Sequence, residues 1–70
     1  MTKTFIVTKD HIELGQLLKA TDVVGSGGEV KEYLGSHEVR VNGEIDNRRG
    51  RKIRAGDVVT VEDYLTIKVS

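Results

Sequence analysis

Arg48, Arg49, Arg51, Lys52 and Arg54 place five cations within seven consecutive residues, with no acid among them. Guanidinium and ammonium groups at that density suit one chemistry above others. They donate to phosphate oxygens, arginine as a bidentate fork and lysine as a point charge. The whole chain gives no hint of this, because its 11 basic and 11 acidic side chains sum to zero. Resolved along the sequence, residues 1–39 carry four basic and six acidic groups, residues 40–54 six basic (Arg40 joins the run) and two acidic, and residues 55–70 one basic and three acidic. The balance is therefore −2, +4, −2. Fields of this kind act locally, over about 10 Å at ordinary salt, so the middle block decides what the surface attracts. On charge alone the block fits either a solvated loop kept for solubility or a docking site for a polyanion.

Other chemistries find less support. There is no Cys, hence no disulfide and no thiolate metal site. His11, Glu13, His37 and Glu38 do not fall at the spacing of a metal site or an acid–base pair. Gly25-Ser26-Gly27 is not a nucleophile elbow, and no phosphate-binding loop of the NTPase type is present. A chain of 70 residues also has little room for a water-excluding pocket. Neither an enzyme nor a resident cofactor is expected.

The elements that position the cations follow from periodicity. Thr4–Val7 reads as a first strand. Asp10 with Glu13 forms a capping box ahead of Leu14, Leu17, Leu18 and Thr21, which gives a helix of about ten residues. Gly15 weakens that helix and permits close approach of another element. Ser26 with Glu29 is a second capping box, starting a helix over about residues 27–35 with Val30, Tyr33 and Leu34 on its apolar face. That spacing favours a core position for Tyr33 over base stacking. Ser26 and the Gly27 and Gly28 amides can cap this helix or receive a phosphate at its N-terminus. The period then changes to two. Val39 and Val41 alternate with Arg40 and Asn42, Asn42-Gly43 is a hairpin turn, and Ile45 opens the return strand. Residues 47–52 form a cationic loop, Ala55-Gly56-Asp57 a turn, Val58–Val61 a strand, and residues 62–64 lead into a last strand, Leu65–Val69. A helix pair followed by short, mostly antiparallel strands is a small α+β domain.

From Leu14 through Val61 the sequence resembles the S4 RNA-binding domain. The matching pieces are Leu17-Leu18-Lys19, Ser26 with Glu29 and Lys31, Val39-Arg40-Val41-Asn42-Gly43, and Lys52-Ile53-Arg54-Ala55-Gly56-Asp57-Val58-Val59. The Ser26-Gly27-Gly28 start and the run from Asp46 to Lys52 bring it nearer to the stand-alone bacterial S4 proteins of YaaA type. The chain departs from the family pattern at Gly27 and Glu38, where a basic residue is common, and at His37, where Gly is common. His37 is expected to end the second helix in the left-handed conformation.

The resemblance implies the fold called alpha-L, a helix pair packed on a short sheet, and a non-catalytic module for structured RNA. Ribosomal RNA or a ribosome-assembly intermediate is the implied target, with contacts to ribosomal proteins as an extension. The expected contacts are Ser26, Lys31, Arg40, Asn42, Arg48, Arg49, Arg51, Lys52 and Arg54. Asn42 also serves the turn with Gly43, and Arg54 has the alternative of pairing with Asp57. A second class fits the same loop: a small adaptor that docks an acidic protein surface. Length points to one domain over residues 1–70, with its core motif at about 14–61. Apolar runs of three residues, such as Phe5-Ile6-Val7, span no membrane, so a cytoplasmic location is expected. The sequence leaves the oligomeric state open.

Overall fold

The computed structural model describes all 70 residues, Met1–Ser70. Alternating aliphatic residues build most of the sheet: β3 (Val39–Val41), β6 (Val58–Val61) and β7 (Leu65–Val69) each bury every second side chain. With β1 (Thr2–Phe5) and β4 (Glu44–Ile45) they form five strands in the order β1-β7-β6-β3-β4. Every neighbour is antiparallel except β1 on β7, where Thr2 stands opposite Thr66 and Phe5 opposite Val69. A second ladder pairs β2 (Ile12–Glu13) with β5 (Lys52–Ile53). One face of the large sheet supplies Val39, Val41, Val59, Val61, Leu65, Ile67 and Val69 to a single core. Leu14, Leu17 and Leu18 of α1 (Leu14–Ala20) and Val30 and Leu34 of α2 (Gly27–Ser36) complete it. An antiparallel sheet covered on one side only is the arrangement that this alternation dictates. No helix is long and apolar enough to cross a membrane.

Three local expectations are corrected. The first strand lies two residues earlier than the apolar run Thr4–Val7, because its extent is set by β7. Val7 still donates to the Ser70 carbonyl at 2.8 Å. The first helix has seven residues and begins at Leu14, and Asp10 does not cap it. Ile12 and Glu13 are drawn into the β2–β5 ladder, and the Asp10 carboxylate faces the His11 ring instead. His37 is extended, at φ −126°. Left-handed backbone occurs instead at Asp22, Asn42 and Glu62. Asp22 closes α1: its N–H reaches the Lys19 carbonyl and that of Val23 reaches Leu18, the paired bonds of a Schellman ending.

Two more differ: Ser26 stands at the N-cap of α2 but its hydroxyl turns to the Glu29 carboxylate and caps no helix amide, and Lys52 leaves the expected loop to pair with Glu13 in the β2–β5 ladder. The remaining expectations hold. α2 spans the expected residues with one more at its end. Asn42 and Gly43, at φ 52° and 89°, make the primed turn that suits the strand twist. Val30 and Leu34 are buried and Tyr33 is half-buried. The Tyr33 ring stacks on His37 at 3.9 Å, and its hydroxyl lies 2.9 Å from that of Tyr64. Burial first and the Tyr64 hydroxyl second push the Tyr33 phenol well above its ordinary pKa.

Candidate nucleic-acid interface

The cationic loop is organised by a residue that the charge pattern conceals. Asp46, only 8% exposed, follows β4 and donates its N–H to the Val39 carbonyl at 2.9 Å. A carboxylate at such depth requires donors. Its Oδ1 accepts the Arg48 backbone N–H and the Arg48 Nε, both at 3.0 Å. Its Oδ2 accepts Arg48 Nη2 and Arg51 Nη1, both at 2.8 Å. Charge-assisted bonds of this length favour the ionised form strongly. The Arg48 bonds outweigh desolvation, so Asp46 is held far below the usual carboxylate range, and Arg48 is raised in turn.

The loop is fixed on its other side by α1. The Leu14 N–H donates to the Arg51 carbonyl at 2.8 Å and the Gly15 N–H to the Arg49 carbonyl at 2.9 Å. The free amides at the start of a helix need acceptors, and here the Arg loop supplies them. No side-chain cap is needed, and Asp10 makes none. Gly15 makes the approach feasible: a Cβ there would stand 3.0 Å from Val30 Cγ1 and 3.4 Å from the Arg49 carbonyl oxygen.

What this scaffold presents is an open concavity of about 630 Å³, lined by Arg48, Gly50, Arg51, Lys52, Arg54 and Asp57, with no hydrophobic side chain. Asp57 is tied into the backbone. It accepts the Arg54 N–H at 2.8 Å and Asn42 Nδ2 at 3.0 Å, and these bonds lower its pKa.

Residues 5–70 match the family model described as "S4 domain". The chain belongs to the S4 domain family. It is 48% identical over 69 residues to the "Probable ribosome maturation protein RlbA" of Bacillus subtilis (strain 168), a match that covers 99% of this chain and 97% of that protein.

In this S4 domain four of the expected contact residues, Arg48, Arg51, Lys52 and Arg54, share one concavity. Arg49 is exposed beside it, and its side chain forms no ion pair. Arg54 does not pair with Asp57 through its side chain; its Nε lies 3.7 Å from the exposed Asp10 carboxylate. The other expected residues stand apart from the concavity. Arg40 on β3 is engaged by Glu38, with Nε at 3.0 Å and Nη2 at 2.9 Å from one carboxylate oxygen. Lys31 is exposed on α2 and has no side-chain partner. Asn42 accepts the Val58 N–H at 2.9 Å in addition to its bond with Asp57. Ser26 donates to Glu29 at 3.4 Å, and the same carboxylate reaches the Gly25 N–H. The helix therefore has an acid of its own at its positive end. Charge counting conceals Asp46 and Asp57, because it treats every acid as a subtraction from a basic patch. The usable signal in the sequence is an acid two and five residues before arginines, at the mouth of a loop.

Proposed function

We propose that this S4 domain protein binds structured RNA without catalysing a reaction on it, and that its target is ribosomal RNA or an assembling ribosomal particle. The observation that carries the reading is the convergence of Arg48, Arg51, Lys52 and Arg54 on one open, wholly polar concavity in a chain of zero net charge. Four cations on one side of a small domain neutralise backbone phosphates and release their counterions. Single-strand recognition by stacking fits poorly. The chain has one Phe and two Tyr, and both tyrosine hydroxyls are engaged with each other. Shape and backbone contact is the mode that suits a folded RNA. The ribosomal target is supported by the name of the Bacillus relative, which describes ribosome maturation. The 70 residues act as one unit, in the cytoplasm, with Lys31 and Arg49 as outlying contacts and Arg40, Asn42 and Ser26 in supporting positions.

The test must spare Asp46. Reversing Arg48, Arg49 and Arg51 together would leave a buried carboxylate facing new acids, and loss of binding would then report unfolding. Arg49, Lys52 and Arg54 hold no buried group. The R49A/K52A/R54A variant is expected to fold as the wild type and to lose most of its affinity for refolded ribosomal RNA. Its salt slope should be lower by about one unit for each phosphate that is no longer neutralised. Unchanged affinity in that variant overturns the reading. Nuclease-resistant association with one acidic protein would replace it with the adaptor.

A further inference from the structure

Two arginines that line the concavity share one carboxylate oxygen of Asp46. Arg48 Nη2 and Arg51 Nη1 each lie 2.8 Å from Asp46 Oδ2. The two guanidinium groups are therefore held within twice that distance of one another, a separation that their mutual repulsion would otherwise oppose. An arginine carries five N–H donors. Arg48 spends Nε and Nη2 on Asp46 and keeps Nη1, while Arg51 spends Nη1 and keeps Nε and Nη2. Both line the concavity, and the Arg48 side chain is 69% exposed. The local sum of two guanidinium groups and one carboxylate is a single positive charge, which matches the single negative charge of one phosphodiester.

We propose that Arg48, Arg51 and Asp46 form one clamp that takes a single backbone phosphate of the RNA, with Asp46 as the positioning residue. The inference rests on the RNA-binding reading and deepens it. Lys52 and Arg54, which line the same concavity without a bond to Asp46, serve neighbouring phosphates as independent cations. Asp46 occupies the Nε–Nη2 edge of Arg48, which fixes that guanidinium with Nη1 unspent, and brings Arg51 to it, so the rotamer entropy of two long side chains is surrendered on folding rather than on binding. An acid thereby strengthens a polyanion site.

The decisive variant is D46N, which keeps the shape, can still accept the Arg48 backbone N–H, and adds one unit of positive charge. A clamp predicts RNA affinity three- to tenfold weaker than wild type, measured by filter binding to refolded ribosomal RNA. A simple cationic patch predicts affinity equal or tighter, and that result overturns the proposal. R49A/K52A/R54A measured in parallel separates the two levels. If it loses binding while D46N does not, the clamp fails and the RNA reading stands; if neither variant loses binding, the RNA reading itself fails. Should D46N melt below the assay temperature, R48Q, R51Q and R48Q/R51Q decide in its place, since glutamine still offers Asp46 a donor. One shared phosphate requires that the double variant lower the salt slope by about one unit, no more than either single. A fall of about two units, one from each arginine, refutes the clamp.

Discussion

Asn42 shows how much stability one exposed side chain can carry in a domain this small. Its backbone sits at φ 52°, its Oδ1 accepts the Val58 N–H at 2.9 Å, and its Nδ2 donates to Asp57 at 3.0 Å. Replacement by Ala removes both bonds and asks a Cβ-bearing residue without a local partner to stay left-handed. The missing partner of the backbone N–H costs about 1 kcal/mol, and the exposed bond to Asp57 roughly half of that after solvent screening. The left-handed conformation adds about 1 kcal/mol. The total of about 2.5 kcal/mol is a large share of the roughly 4–10 kcal/mol available to a 70-residue fold. At roughly 4–8 °C per kcal/mol for a chain of this size, N42A should melt about 10–20 °C below wild type. N42G keeps the turn geometry and loses only the bonds, so it should fall between the two. Thermal unfolding followed by circular dichroism at pH 7 measures all three proteins. An N42A midpoint within about 3 °C of wild type, or an N42G midpoint no higher than that of N42A, refutes the assignment of these roles.

Two further outcomes are expected. Asp46 and Asp57 both have folded-state pKa values below the unfolded carboxylate value of about 3.9, so their contribution is complete at neutral pH and drains away as pH falls from about 4 through their depressed values. Urea midpoints taken from pH 7 downward should drop on that side, and D46N should flatten the decline. At the helix–loop junction, G15V should destabilise by about 1–3 kcal/mol through overpacking against Val30 and the Arg49 carbonyl. Faster hydrogen exchange of the Leu14 and Gly15 amides, with weaker RNA binding, would accompany that destabilisation; an unchanged exchange rate would deny the junction its role.

The parts legible in the sequence are those in which side-chain type and backbone demand coincide. The valine alternation of β3 and β6 announces a half-buried sheet, and Asn42-Gly43 announces a primed turn, because each pattern has few other uses. The α2 span follows from Val30 and Leu34 in the same way. What stays hidden depends on distant partners. Asp10 and Glu13 make a plausible capping box, yet the acceptors for the α1 amides come from the Arg loop, more than thirty residues away in sequence. The start of β1 is fixed by β7 rather than by its own apolar run. His37 stands where the family commonly has glycine, yet it is extended, and its ring lies on Tyr33. Five clustered cations mark the candidate site, but its geometry resides in Asp46, whose bonds emerge only when both arginines are seen on one carboxylate.

The parallel pairing of β1 with β7 also governs how the chain reaches its fold. The amino group of Met1 donates to the Tyr64 carbonyl 63 residues away, and Thr2–Phe5 lies along Thr66–Val69. Closing a loop of that length costs on the order of 4 kcal/mol of chain entropy before any bond of the ladder forms. During synthesis β1 precedes β7 and must therefore wait for it. The helix pair, the β3–β4 hairpin and the bonds between the Arg loop and α1 involve no residue of β1, so they can form while β1 is still unpaired.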